Sequence, residues 1–179
     1  TFSNNTIIYT IADSEIHRYL EEVKRGYILE GEAKEVSTNY EIKEEESWDV
    51  SENEDGSIIA KWTANNRTLN ITGMGKMKDT YANSVSWNNT QYKEIIEKVL
   101  ISEGITNIGN SNFSWCTSLT SIEIPDSVKE IGRGAFENCS SLKTIDIPNE
   151  VTVLNTEVFS GCENLESINL PSDLLRIED

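Results

Sequence analysis

The chain has 179 residues and a formal net charge of −16, with 31 acidic side chains against 15 basic ones. This charge argues against binding to nucleic acid or insertion at an anionic membrane surface, since both favour clustered Lys and Arg side chains. The single histidine, His17, excludes His-rich metal sites and leaves little room for a His-based catalytic triad, and no run of about 18 apolar residues predicts a membrane span.

Residues 1–30 are predicted to form a small strand–helix–strand unit. Ile7–Tyr9 and Tyr27–Leu29 are typical of strands, and Asp13–Ser14 offers an N-cap for the helix between them. Apolar residues recur on one face of that helix: Ile16, Tyr19, Leu20 and Val23. We expect His17, on its polar side, to be exposed.

Residues 31–56 are interpreted as an acidic linker. From Glu30 to Gly56 the sequence holds 11 acidic residues against two lysines. A short strand around Val36–Ile42 is an open alternative, but the run Glu44–Glu46 is most simply explained as solvated chain.

The segment Ser51–Ile58 imitates the first half of a calcium-binding loop. Such a loop needs Asp at its first position and a bidentate Glu at its twelfth, where this chain has Ser51 and Trp62. The sequence therefore predicts a plain turn at this place and no metal site.

Residues 57–92 are predicted to form an N-terminal cap. Ser57–Ala64 and Arg67–Thr72 are typical of two strands, and Asn65–Asn66 between them is a good tight-turn pair. Terminal coils of a repeat array need a polar cover, which this hairpin would supply.

A repeat of 23 residues occupies residues 93–179. Two residue types recur at this spacing: Cys116, Cys139 and Cys162, and Pro125, Pro148 and Pro171. Counting back from Cys116 gives a degenerate first copy, Lys93–Trp115. Seven of its residues fall on the same register: Ile96, Val99, Ile101, Ile105, Ile108, Gly109 and Phe113. The array thus has four coils, the last incomplete, and we expect the natural protein to continue past Asp179.

Each coil has a predictable cross-section. The alternation in Leu119–Ile124 predicts a short strand with one face inward, and the proline that follows ends it. Val128, Ile131 and Phe136 are predicted to line the return path, where Gly132 allows a turn that other residues resist. One coil cannot bury these residues alone, but coils stacked about 4.8 Å apart can, and their strands then form one parallel sheet.

Residues 116–138 carry every element of the pattern C-x-x-L-x-x-I-x-I-P-x-x-V-x-x-I-G-x-x-A-F. The next coil departs from it at Leu154–Asn155 and Val158, and the first coil has Lys93 in place of Cys. The pattern resembles the BspA-like class of leucine-rich repeats, found in bacterial surface antigens and in secreted proteins of some protozoan parasites. Trp62, Leu69–Met77 and Ser86–Trp87 look like the usual lead-in to such an array: the resemblance extends over about residues 57–179.

The resemblance implies a leucine-rich repeat solenoid of the α/β-horseshoe class, mostly β with short parallel strands and 23-residue coils. A β-hairpin cap would precede the coils, with a small β-α-β unit before it. Residues 1–30 are similar to the tail that often closes an array in this family, so that several arrays would follow one another.

The resemblance also implies a non-catalytic protein-binding or adhesion module of a secreted or cell-surface protein, located outside the cell. It supplies no catalytic residue and no cofactor, and it favours a protein or glycoprotein ligand from a host or matrix. Two alternatives stay open. The array is a structural spacer, or it is an accessory domain of an enzyme whose catalytic domain lies outside this sequence.

The candidate ligand-binding surface is the solvent-facing side of the predicted strands, which we name the concave face. It comprises Lys98, Leu100, Ser121, Glu123, Thr144, Asp146, Ser167 and Asn169. Solenoids bind proteins and peptides through such extended surfaces, although outward strand positions are polar in any case. The opposite, convex side is equally available and carries Lys129, Glu130, Arg133 and Glu137.

The three repeated cysteines are predicted to be buried, reduced and structural. Stacked side chains at one position of successive coils point the same way, which suits neither a disulfide bridge nor a tetrahedral metal site. In this environment Cys acts as a small hydrophobic residue.

Overall fold

The computed structural model describes residues 42–80, residue 87 and residues 91–178 of the chain. No helix in this described part has the length and apolar character of a membrane span.

Two compact units make up the chain, Thr1–Glu41 and Ile42–Asp179, and the described residues belong to the second. The strand–helix–strand unit predicted for residues 1–30 lies outside the described residues, and so does His17.

Short β-strands form most of the regular structure of the described residues, with 3-10 turns at Ala64–Asn66 and Gln91–Glu94. The strands are β1 (Glu45–Asp49), β2 (Ile58–Thr63), β3 (Thr68–Gly73), β4 (Gly75–Lys76), β5 (Lys98–Ile101), β6 (Ile105–Ile108), β7 (Ser121–Glu123), β8 (Glu130–Ile131), β9 (Thr144–Asp146), β10 (Val153–Leu154), β11 (Ser167–Asn169) and β12 (Arg176–Ile177).

The cap is an antiparallel sheet of β1, β2 and β3. The predicted hairpin is present as β2 and β3, which pair from Ile58 opposite Gly73 to Thr63 opposite Thr68. Alternation of buried and exposed side chains along β2 places Ile58, Ala60 and Trp62 in the core.

The linker predicted around Glu44–Glu46 is wrong, because β1 begins inside it and pairs along its full length with β2. Trp48 lies opposite Ala60 and packs against the core, while the exposed Glu45 forms an ion pair with Lys61 (2.8 Å). The acidic composition of this segment did not indicate a strand. Alternate side chains of an edge strand face solvent, so acidic residues are tolerated there.

Successive coils pair through a first parallel ladder, but this ladder is interrupted between β7 and β9, where the sequence predicted one continuous sheet. β3 pairs with β5 and β5 with β7, and the 23-residue spacing sets the register, with Lys98 opposite Ser121 and Val99 opposite Ile122. β9 and β11 continue the array as a separate two-stranded sheet, with Thr144 opposite Ser167.

A second parallel ladder lies along the return path, in the order β12, β10, β8, β6, β4. The sequence predicted this segment only as an apolar lining. Its strands are two to four residues long, and one inward residue per coil anchors them: Ile108, Ile131 and Leu154 are buried and aligned. Runs this short give no periodicity that distinguishes a strand from a loop.

The core is a column of equivalent residues from successive coils. Leu119 and Leu142, which precede β7 and β9, are completely buried, as are Val128 and Val151 on the return path. Burial of each such side chain contributes roughly 1.5–3 kcal/mol. The column is therefore the main source of stability of the array.

An aromatic stack runs parallel to the aliphatic column. The rings of Trp87, Phe113, Phe136 and Phe159 follow one another with centroid separations of 5.9, 5.6 and 5.8 Å. The two Phe–Phe pairs are almost parallel, at 8° and 6°, which requires an offset arrangement at these distances. Tilted contacts extend the stack into the cap through Trp48, which lies 6.1 Å from Trp87.

The role predicted for Gly132 needs correction, because its φ angle is not positive and the turn does not require glycine. A Cβ atom at this position would lie 2.6 Å from the backbone nitrogen of Asn110 in the preceding coil. At Gly109 a Cβ would lie 2.5 Å from the carbonyl oxygen of Lys78. These glycines are needed because neighbouring coils approach each other closely.

Candidate functional site

The concave face lies on the outer side of the strands of the first ladder, and its eight residues form two groups of four. On β5 and β7, Lys98 lies opposite Ser121 and Leu100 lies opposite Glu123. On β9 and β11, which form a separate sheet, Thr144 lies opposite Ser167 and Asp146 lies opposite Asn169. Lys98 and Leu100 are half-buried, whereas the six residues of the later coils are exposed.

Polar contacts along the coils restrain the side chains of the concave face. The Lys98 ammonium lies 2.7 Å from the Glu123 carboxylate in the next coil. Further along, the Asn169 amide donates a hydrogen bond to Asp146. One lysine and two carboxylates leave the face with a net charge of −1, and its only cation is paired.

A polar groove of about 370 Å³ lies where the cap meets the first two coils beside the second ladder. Its lining includes Glu52, Lys76 and Glu130. Asp79, also in the lining, accepts hydrogen bonds from the backbone and side-chain nitrogens of Asn110 (2.8 and 2.9 Å). The sequence did not reveal this groove, because its walls come from segments about 30 residues apart that no motif links.

An amide of the same groove completes the second ladder. The pairing of β4 with β6 shifts register between Gly75 and Lys76. Asn107 spans the irregularity, since its side chain accepts a hydrogen bond from the Met77 nitrogen (2.7 Å) and donates one to the Met77 oxygen (3.2 Å). The buried amide therefore satisfies backbone groups that the ladder leaves without a strand partner.

The calcium-like segment forms a turn held by its own carboxylates, as predicted. Asp49 accepts hydrogen bonds from the Ser51 and Gly56 nitrogens (3.0 and 2.8 Å), and Asp55 accepts one from the Ser57 nitrogen (2.9 Å). Hydrogen bonds from the Ser51 side chain and then its backbone lower the pKa of Asp49. Among the described residues, no three His, Cys, Asp or Glu side chains are grouped to hold a metal ion.

The cysteines are free thiols, buried at Cys116 and Cys139 and half-buried at Cys162. The sulfur of Cys139 lies 3.1 Å from the Phe113 carbonyl oxygen, and that of Cys162 lies 3.1 Å from the Phe136 oxygen. Burial raises the pKa of Cys116 to about 12 and also raises the pKa of the other two thiols. The thiols are thus poor nucleophiles, and those of Cys139 and Cys162 link their coils to the preceding ones.

Trp115 is an exposed aromatic residue that the sequence did not single out. Its φ is +63°, in the left-handed region, and 52% of its surface is exposed. The equivalent residues one and two coils later are Asn138 (φ +57°) and Gly161 (φ +71°). Asn and Gly tolerate the left-handed backbone conformation, whereas Trp does not. Trp115 is therefore the unusual residue type at this position when the three coils are aligned.

Comparison with known proteins agrees with this architecture. The sequence model of the BspA type leucine rich repeat region matches residues 86–179, in six copies. No curated protein matches the chain.

Several solved structures resemble the chain, among them the following three. A leucine-rich repeat protein from Eubacterium ventriosum has a TM-score of 0.57 and 24% identity, over 75% of this chain and 40% of that one. A leucine-rich repeat protein from Bacteroides ovatus has 39% identity and a TM-score of 0.45, over 48% of this chain and 22% of that one. A leucine rich cell surface protein from Faecalibacterium prausnitzii has 24% identity and a TM-score of 0.37, over 69% of this chain and 49% of that one.

The chain spans less than half the length of each of these three proteins. At 24% identity, the Eubacterium ventriosum structure supports the fold alone, and it agrees with the leucine-rich repeat solenoid predicted from the sequence. The family match covers more than half of the 179 residues and coincides with the 23-residue repeat. The chain therefore belongs to the family of BspA type leucine-rich repeat proteins.

Proposed function

We propose that this array is a non-catalytic binding module of a secreted or cell-surface protein, and that it binds a protein or glycoprotein partner through the concave face. The observation that carries the proposal is the exposed polar surface of the concave face. Six polar side chains from three successive coils are exposed there, and those of the last two coils lie directly opposite one another, Thr144 with Ser167 and Asp146 with Asn169.

The physical basis is pre-organisation of the surface. The backbone of each coil is fixed by two ladders and by the buried column beneath, so an arriving partner meets side chains already held on rigid strands. Lys98–Glu123 and Asn169–Asp146 restrain four of them further. Binding to such a surface loses less conformational entropy than binding to a mobile loop.

The charge of the array indicates the nature of the partner. Residues 101–179 carry a formal charge of −9, from 13 acidic and four basic residues. Complementary charges guide association and disfavour partners of like sign. The surface therefore suits a neutral or basic partner and disfavours nucleic acid and sulfated glycans.

The chemistry of the described residues favours binding over catalysis. Ser121 and Ser167 are hydroxyl groups on the concave face, but the face offers them no histidine base. The cysteine thiols are buried or half-buried, and their raised pKa values keep them protonated at neutral pH. Both arguments support a surface that recognises a partner without transforming it.

The test is to immobilise the 179-residue chain and to pass purified matrix glycoproteins and polysaccharides over it. We expect saturable binding of at least one glycoprotein, weakened by the double substitution Glu123→Ala and Asp146→Ala. Glu130→Ala with Glu150→Ala makes the same change in charge outside the concave face and should leave binding unaltered.

Two outcomes contradict the proposal. Equal loss of binding in both double variants would mean that overall charge, and not the concave face, decides the interaction. Absence of saturable binding to the whole panel would favour the structural spacer, in which the array only sets the distance between other parts of the protein.

A further inference from the structure

Trp115 occupies a backbone position that disfavours it. Two left-handed positions recur in the coils: Ser111, Gly134 and Glu157 form one series, and Trp115, Asn138 and Gly161 form the other. A bulky aromatic side chain in this region is rare, because its Cβ crowds the neighbouring carbonyl. Strained residues of this kind cluster at functional sites, where another benefit offsets their cost.

The fold does not require an indole at this place. The backbone nitrogen of Trp115 donates a hydrogen bond to the Glu137 carbonyl (2.7 Å), and that of Asn138 donates the equivalent bond to Ser160 (2.6 Å). The same backbone link thus forms with Asn as with Trp. The ring also adds nothing to the buried aromatic stack, since Trp115 is half exposed while Phe113 is fully buried.

The surroundings of Trp115 are acidic and polar. Glu137, whose carbonyl accepts the Trp115 hydrogen bond, is its neighbour in the next coil, and Ser118, three residues after Trp115, donates a hydrogen bond from its hydroxyl to the Glu94 carbonyl (2.6 Å). One cation, Lys93, lies near the same turn. Six residues after Trp115 the chain enters β7, which carries Ser121 and Glu123 of the concave face.

An exposed indole beside an acidic residue suits recognition of a cationic side chain, since the ring face attracts the cation and a carboxylate pairs with it. We propose that Trp115 anchors a basic segment of the protein partner, with an Arg or Lys side chain over the indole ring and paired with Glu137. This inference rests on the proposed function and names the chemistry of its partner.

The test uses the complete chain and a synthetic nine-residue peptide of alternating Arg and Gly, with a Glu–Gly peptide of the same length as control. Binding is measured by calorimetry at low and at physiological salt. Trp115→Asn should weaken binding of the Arg–Gly peptide about two- to thirtyfold. Trp115→Phe should lie between the two, because the smaller ring attracts a cation less strongly, and Glu137→Gln should also weaken binding.

Thermal unfolding supplies the second readout. Because Asn138 already occupies the equivalent position, Trp115→Asn should have a Tm equal to or above that of the unsubstituted chain. A clear fall in Tm would show that the indole stabilises the fold, and it would overturn the proposal. A chain that does not bind the Arg–Gly peptide, or a Trp115→Asn variant that binds it equally well, overturns it too.

Two further results separate this inference from the proposed function. If a neutral oligosaccharide, and not the peptide, loses affinity in Trp115→Asn, the anchor contacts sugar and the basic partner is wrong. If the concave-face variants lose glycoprotein binding while Trp115→Asn keeps affinity for the Arg–Gly peptide, the proposed function stands and this inference fails.

Discussion

The two ends of the described array use the same repeat and differ in burial. At the cap end, Trp62 and Ile71 are almost completely buried, because the antiparallel strands cover the first coil. In the last coil, Leu170, Leu175 and Ile177 are 47%, 81% and 60% exposed, although they occupy inward or adjacent positions of the coil. A residue of the apolar register is therefore buried only when a neighbouring coil or cap covers it.

This difference shows how stability is distributed in the array. Each coil stabilises its neighbours, and a terminal coil lacks half of these contacts, as in other nearest-neighbour repeat proteins. Equivalent substitutions in central and terminal coils should consequently have unequal effects. The four predictions below compare such positions, from the largest expected effect to the smallest.

The largest effect is expected for Ile145→Asp. Ile145 is 2% exposed, and a carboxylate there would be buried without a partner, so the free energy of unfolding should fall by about 3–5 kcal/mol. Ile168→Asp, one coil later at a half-buried position, should cost only about 1 kcal/mol, because the carboxylate reaches water. Urea unfolding followed by circular dichroism measures both. Equal losses would contradict the dependence on neighbouring coils.

Truncation of the aromatic stack should follow the same gradient. Phe136 is fully buried between two other rings, so Phe136→Ala should lower the free energy of unfolding by about 3–4 kcal/mol. Phe159 is half-buried and ends the described stack, so Phe159→Ala should cost about half as much. The difference between their Tm values checks this prediction, and it would fail if Phe159→Ala proved the more damaging change.

Close approach of the coils is tested by Gly132→Ala. The added methyl group would meet the backbone of Asn110, which cannot move without disturbing two coils, so we expect a loss of about 1–3 kcal/mol. One coil later the position holds Asn155, whose amide donates a hydrogen bond to the Ile131 carbonyl (2.6 Å). Asn155→Ala should therefore cost about 1 kcal/mol. A Gly132→Ala variant as stable as the unsubstituted chain would show that the coils can separate there.

The stability of the array should decrease in alkaline solution. Burial raises the pKa of Cys116 from its ordinary value of 9.0 to about 12, so the thiol ionises more readily in the unfolded chain. Its contribution to stability is complete below pH 9.0 and is lost as the pH rises towards 12, by about 1.4 kcal/mol per pH unit. Cys116→Ala should reduce this dependence, as measured by urea unfolding at several pH values, while the buried Cys139, whose pKa is also raised, maintains part of it. Cys162→Ala, at the half-buried position, should alter it less, and identical profiles would contradict the assignment.

Much of the repeat could be predicted because it depends on local periodicity. The pattern of Leu119, Ile122 and Ile124 defined the inward face of the first ladder. The strand was predicted too long, because β7 comprises only Ser121–Glu123. The second ladder was missed, since its strands are too short for any period to appear. The strand β1 was missed because the sequence pattern of an edge strand is dominated by its acidic outward positions.

The candidate site was predictable in position and not in detail. Alternation along the strands placed the eight residues of the concave face on one side, and the parallel register aligned them within each of the two strand pairs, β5 with β7 and β9 with β11. The pairing of Lys98 with Glu123 depends on side-chain conformations that no sequence pattern encodes. Trp115 was overlooked because its backbone conformation, and not its hydrophobicity, distinguishes it from Asn138 and Gly161.

By itself the sequence determined the period, the inward residues and the membership of a stacked family, because a coil of 23 residues can bury its apolar side chains only against copies of itself. It also determined that the cysteines occupy the same position in successive coils. Only the tertiary structure decided which of these residues are covered, which glycines are needed and which thiols contact a carbonyl. Those properties depend on the distances between coils. These distances result from packing between residues that are far apart in the sequence.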